Sequence, residues 1–109
     1  MKSFQEQINR AKEIHKILCN KYDIHIPLEF QNLNGKGGGY VVTTKLRKGK
    51  YHFLKKIVLD NSGRWCSDPD YCLCHEFAHV ILIERKNSVR HDKRHANLTK
   101  KLAKEFNLI

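Results

Sequence analysis

Residues 69–85, PDYCLCHEFAHVILIER, decide the fold of this 109-residue chain. Ser67 can cap a helix there, and Pro69 falls in its first turn, where proline is tolerated. We therefore expect a helix from about Pro69 to Arg85. Apolar residues surround the central His75-Glu76-Phe77-Ala78-His79 on both sides, which predicts that this helix is largely buried.

The central five residues form an HExxH motif. His75 and His79 are four positions apart, so they stand one turn apart on one face of the helix. Their ring nitrogens can converge on a single Zn²⁺ at about 2.0–2.1 Å. Glu76 is the candidate catalytic residue, a general base for an attacking water. Burying these three side chains without a metal would be costly, so the motif predicts a zinc site.

A third ligand is required, because catalytic zinc takes three protein ligands and keeps one position open. The downstream run Arg90-His91-Asp92-Lys93-Arg94-His95 contains two histidines, again four residues apart. His91 and His95 both lie on the stripe that continues through Leu98 and Leu102. Periodicity alone therefore leaves the choice between them open.

The remaining elements complete an α+β prediction for one domain, residues 1–109. Apolar residues at helical spacing predict an N-terminal helix over Ser3–Lys21, with Ser3 and Glu6 as a capping box. Strands are expected at Ile26–Leu33, Tyr40–Leu46 and Tyr51–Leu59, the last two joined by a hairpin turn at Lys48-Gly49. A final helix is expected over Asp92–Asn107. The result is an N-terminal helix, a small three-stranded, largely antiparallel sheet, the HExxH helix and a C-terminal helix.

The charge of the chain is strongly positive, with 21 Lys and Arg against 11 Asp and Glu. Such a field favours anionic partners, nucleic acid first, although solubility is the alternative explanation. Tyr51 and Phe53 interleave the hairpin cations and could stack on unpaired bases, which would favour single-stranded DNA. The candidate nucleic-acid contacts are Lys45, Arg47, Lys48, Lys50, Tyr51, Lys55 and Lys56.

At the motif helix and the segment after it, the chain resembles the SprT-like (Spartan-type) zinc metallopeptidases. The resemblance implies a zincin-like domain that hydrolyses peptide bonds, including those of DNA-associated proteins. It places His91 at the position of the third zinc ligand. His95 then falls where that family has an aromatic residue, and Asp92 where it often has glycine.

The alternative function is a basic nucleic-acid-binding module with a structural zinc and no protease activity. A closed site would need a fourth ligand, such as Cys72, Cys74 or His95. No apolar run approaches the roughly 20 residues of a membrane span, and the first six residues lack a signal-peptide core. We therefore expect a cytoplasmic monomer with a protein substrate, possible DNA contact and no membrane contact. In that compartment we expect free thiols rather than disulfides.

Overall fold

Three helices and three strands make up the computed structural model, which describes residues 3–34, 37–45, 52–66, 68–86, 88 and 90–109. The elements are, in chain order, α1 (Phe4–Tyr22), β1 (Leu28–Gln31), β2 (Gly39–Lys45), β3 (His52–Asp60), α2 (Pro69–Lys86) and α3 (Lys93–Glu105). The predicted α+β class is confirmed. Each predicted boundary lies within two residues of the observed one.

The sheet is mixed, with the strand order β1-β3-β2. β2 and β3 pair antiparallel, as the hairpin prediction requires. β1 instead pairs with β3 in parallel, from Leu28 opposite Ile57 to Gln31 opposite Asp60. The sheet is therefore antiparallel along its longer pair only, because β1 lies on the far side of β3 and is not joined to it by a hairpin. The expected turn at Lys48-Gly49 lies outside the described residues.

Helix α2 forms the centre of the molecule and packs against α1, α3, β2 and β3. Leu73 and Phe77 are fully buried, and they belong to the same apolar cluster as Leu18 of α1 and Ile57 of β3. Each such side chain contributes about 1.5–3 kcal/mol on burial, so the helix that carries the HExxH motif is firmly fixed. Within the described residues, none of the helices has both the length and the apolar character to cross a bilayer.

Two helix caps set where α1 and α3 begin. The Ser3 hydroxyl accepts a hydrogen bond from the backbone N–H of Glu6 at 3.1 Å, as the predicted capping box requires. The Asp92 carboxylate accepts one from the backbone N–H of His95 at 3.2 Å, a cap that the sequence analysis did not identify. Such caps contribute about 1 kcal/mol. The Asp92 cap places His91 immediately before the first turn of α3. Ser67, the predicted cap of α2, lies outside the described residues.

Candidate metal centre

Four histidines meet where α2 passes the start of α3. α2 supplies His75 and His79, the segment before α3 supplies His91, and the first turn of α3 supplies His95. One ring nitrogen from each lies within 4.8 Å of the others. This group can hold a metal ion, and it contains every histidine that the sequence analysis considered as a ligand.

Three of the ring nitrogens converge more closely. His91 Nε2 lies 2.9 Å from His75 Nε2 and 3.1 Å from His79 Nε2. Tetrahedral ligands bonded at 2.0–2.1 Å to a zinc ion are separated by about 3.3 Å. The donor set and its spacing therefore fit Zn²⁺. His91 is exposed, whereas His75 and His79 are half-buried, so the centre opens towards solvent on the side of His91.

His95 occupies a different place in the group. It is only 2% exposed, and its ring stacks on that of His79 with the centroids 3.7 Å apart. Its Nε2–H donates to the backbone carbonyl of His75, with the two heavy atoms 2.9 Å apart. His95 therefore ties α3 to α2 and holds the rings of the motif, and only its Nδ1 is left to act as a ligand.

The imidazoles of His75, His79 and His95 are uncharged at neutral pH. Burial, with a contribution from the neighbouring histidines, lowers the pKa of His75 to about 4. The same causes lower the pKa of His79 to about 3. Burial also lowers the pKa of His95. Neutral imidazole is the form that binds metal, so His75 and His79 can bind zinc at pH 7 without first losing a proton.

These shifts predict that the metal-free protein becomes more stable as the pH rises from about 4.5 to 6.5. The unfolded chain binds protons on His75 and His79 below their ordinary pKa of 6.5, and the folded chain does not. The raised pKa of Glu76 makes stability fall with rising pH. The two histidines outweigh this single carboxyl. Urea unfolding across this pH range is the measurement, and a midpoint that is flat or falls with pH would contradict the prediction.

Glu76 lies beside the histidines and is 6% exposed. Burial raises the pKa of its carboxyl to about 7, and the side chain makes no hydrogen bond to any described residue. A Cβ atom added at Gly39 of β2 would lie 3.4 Å from Glu76 Cγ and only 2.7 Å from Leu59 Cδ2. The absence of a side chain at Gly39 therefore lets the strand pass directly over Glu76.

Two clefts meet at Glu76. One, of about 280 Å³, follows β2 and reaches both His79 and His91; its lining residues are Gly39, Tyr40, Val41, Thr43, Glu76, His79, Ile83 and His91. The other, of about 310 Å³, lies on the side of His75 and is described below. β2 is an edge strand, and no described strand pairs with its outer side. An extended chain lying along β2 would therefore pass the histidines and Glu76.

None of the described cysteines belongs to the histidine group. Cys66 and Cys72 form a disulfide, so the expectation of four free thiols is wrong. The loop after β3 brings Cys66 back beside the start of α2, to a Cα–Cα distance of 6.8 Å from Cys72. Cys74 is fully buried in the apolar core. Neither predicted cysteine candidate for a fourth ligand belongs to the histidine group.

The predicted nucleic-acid contacts are only partly described. Arg47, Lys48, Lys50 and Tyr51 lie outside the described residues, and Lys45 ends β2. Lys55 is exposed on β3, whereas the Lys56 ammonium lies 2.9 Å from the carboxylate of Glu29 on β1. Pairing of β1 with β3 thus brings an acidic residue to a surface that appeared free of acids in the sequence. The basic residues of the last third are all exposed: Arg85, Lys86, Arg90, Lys93, Arg94, Lys100, Lys101 and Lys104.

Sequence reasoning missed two residues that shape the centre: Asp92 and Gly39. An aspartate directly after a histidine and before a helical pattern is a recognisable cap signal. Gly39 carried no such signal, since its role comes from contacts between distant segments. Comparison with protein-family models, curated proteins and solved structures found no match. The resemblance to SprT-like peptidases therefore rests on the residues themselves.

Proposed function

We propose that the chain is a zinc-dependent metallopeptidase that hydrolyses peptide bonds in a SprT-like zincin domain. One observation carries the proposal. The Nε2 atoms of His75, His79 and His91 converge beside Glu76, at a cleft that follows the outer edge of β2, with which no described strand pairs. His75, His79 and His91 would hold the ion.

Zinc at this position would polarise the scissile carbonyl and lower the pKa of a water. Glu76 takes a proton from the attacking water as the new C–O bond forms. It then delivers that proton to the amine nitrogen as the C–N bond breaks. The burial of Glu76 favours this role, because a carboxyl that is easily protonated near neutral pH can both accept and return a proton.

The edge of β2 supplies the means of orienting a substrate. Unpaired N–H and C=O groups on an edge strand can pair with an extended peptide, which adds as a further strand. Such a peptide would cross Glu76 at Gly39, where the strand has no side chain in the way. This mode of binding requires an extended substrate, so unfolded or loosely folded proteins should be preferred.

A structural zinc site is less consistent with the geometry. It would need a fourth protein ligand, but Cys72 is in a disulfide and Cys74 is in the core. His95 already donates its Nε2–H to the carbonyl of His75, so it could be a fourth ligand only through Nδ1. The exposure of His91 leaves the ion accessible to water and substrate.

The direct test is hydrolysis of casein, an unfolded protein, by the zinc-loaded chain. We expect cleavage that stops on treatment with a chelator and returns when one equivalent of Zn²⁺ is added. Adding Mg²⁺ instead should restore nothing, because three imidazoles suit zinc and not a hard cation. Cleavage that persists in the fully metal-free protein would contradict the proposed zinc-dependent mechanism.

We further propose that its substrates include proteins associated with DNA, with the DNA held by exposed cations. The favouring observation is that all eight basic residues from Arg85 to Lys104 are exposed, next to the third-ligand segment. Binding should be weak, independent of base sequence and stronger for single strands.

Charge reversal on two surfaces tests this proposal. Lys100→Glu with Lys101→Glu alters α3, and Lys48→Glu with Lys50→Glu alters the segment between β2 and β3. If Z phosphate contacts are made to single-stranded DNA, the logarithm of the binding constant should fall with the logarithm of the salt concentration at a slope of about −0.7Z. A variant that loses a contact should show a shallower slope. Lys12→Glu with Lys16→Glu on α1 is the charge-matched control. Equal losses in all three variants would show that net charge alone attracts DNA.

A further inference from the structure

The second cleft beside Glu76 is bordered by an exposed aromatic ring. Trp65 is the only tryptophan of the chain, and it is 47% exposed. It lines the cleft of about 310 Å³ together with Gly38, Gly39, Tyr71, Cys72, His75 and Glu76. Single exposed apolar residues are common on protein surfaces. This one is unusual in its position, since the same cleft is lined by a candidate zinc ligand and by the candidate general base.

The backbone of Trp65 is anchored from two directions. Its N–H donates to the carboxylate of Asp60 at 3.2 Å, and Asp60 is fully buried. Asp60 also accepts hydrogen bonds from the Ser62 hydroxyl and the Leu33 N–H. On the other side, the next residue, Cys66, is joined to Cys72 of α2. The backbone that carries the exposed ring is therefore held in place beside the cleft.

The anchored loop also lies against the beginning of the edge strand. A Cβ atom at Gly38 would lie 2.9 Å from the carbonyl oxygen of Trp65 and 3.2 Å from Cys66 Cβ. Gly38 immediately precedes β2, along which we place the substrate. A peptide on that edge would carry one of its side chains towards Trp65 as it reaches Glu76.

We infer that the Trp65 cleft is a specificity pocket for one large apolar or aromatic side chain of the substrate, adjacent to the bond that is cleaved. The inference rests on the proposed peptidase function and deepens it by naming a substrate class. The volume of the cleft is at the lower end for ligand pockets, as a pocket for a single side chain should be. The aromatic rings of Trp65 and Tyr71 provide apolar contact area. A backbone anchored on both sides limits the conformational freedom that the residue loses when it binds.

Binding and cleavage can be measured separately. The probes are fluorescein-labelled peptides of equal length and charge that differ at one central position, which is Phe, Leu, Ala or Asp. Binding is measured by anisotropy on the zinc-loaded Glu76→Gln variant, and cleavage on the wild type. We expect the Phe and Leu peptides to bind at least about 10-fold more tightly than the Ala peptide, the lower end of what apolar pockets achieve. An unlabelled Phe peptide should also change the emission of Trp65.

The decisive variant is Trp65→Ala. In this variant the affinities for the Phe and Ala peptides should differ by no more than about 2- to 3-fold. Ile17→Ala is the matched control, since Ile17 on α1 has the same 47% exposure and lies outside the cleft. Because Trp65 is exposed, the variant should fold, and circular dichroism would show this.

The outcomes separate this inference from the proposed function. A preference for Phe that depends on Trp65, without cleavage, supports the pocket and contradicts the peptidase. Cleavage with no preference, or with a preference that survives Trp65→Ala, overturns the pocket and leaves the peptidase intact. Failure of every peptide to bind also overturns the pocket.

Discussion

Glu76→Gln is expected to keep one zinc per chain and to lose between about 10²- and 10⁴-fold of the rate of peptide hydrolysis, the usual contribution of a general acid–base residue. Glutamine keeps the size and shape of the side chain but cannot accept a proton from water. The three imidazoles that we propose to hold the ion are unchanged, so zinc content should be unchanged. Metal analysis and casein hydrolysis on the same preparation measure both quantities.

Glu84→Gln is the matched control for this experiment. Glu84 lies on the same helix, has the same side chain and is exposed. Its substitution should leave both zinc and activity at the wild-type level. If Glu76→Gln were as active as Glu84→Gln, Glu76 would not be the base. If neither variant nor the wild type hydrolysed casein while all three bound zinc, the structural-zinc alternative would be favoured instead.

The helices were predictable because each carried a signal in its own sequence. α1 has apolar residues at a helical spacing after a serine cap, and α2 has a long apolar run around the motif. The pairing of β1 with β3 was not predictable in the same way. Parallel pairing depends on where the chain crosses the sheet, and alternation within residues 28–31 is compatible with either direction.

In the candidate site too, features set by neighbouring residues were predictable, and features set by contacts between distant segments were not. The i, i+4 spacing of His75 and His79 specified one side of the centre. The sequence also identified His91 and His95, but their separate roles depend on a backbone carbonyl of α2 that only the packed structure brings near. Trp65 and Cys66 could not be assigned from the sequence, since the loop after β3 has no periodicity of its own.

His91→Ala should lose most of its zinc affinity and all hydrolysis, whereas His95→Phe should retain both. The reason lies in the two sets of contacts. His91 Nε2 points into the group, at 2.9 Å from His75 Nε2, and removing it would leave two ligands on one helix. His95 Nε2–H is turned to the carbonyl of His75. His25→Ala, at a histidine whose side chain is 73% exposed, is the control that should change nothing.

His95→Phe removes both ring nitrogens, and with them the hydrogen bond to the carbonyl of His75. It should therefore lower the stability of the fold. A typical hydrogen bond contributes about 0.5–1.5 kcal/mol. We expect the free energy of unfolding, measured in urea, to fall by that amount with zinc still bound. His95→Gln provides a second variant, because its amide N–H can still donate to the carbonyl of His75 without providing an imidazole.

The two variants at position 95 distinguish a ligand from a residue that holds the ligands in place. If His95 acts by its hydrogen bond, His95→Gln should be more stable than His95→Phe, and both should bind one zinc. If His95 is a ligand through Nδ1, both should lose zinc in parallel, whatever their stability. Loss of zinc in both, beside a His91→Ala protein that keeps its zinc, would reverse the assignment. Such a reversal would also weaken the SprT-like interpretation, because that resemblance places the third ligand at His91.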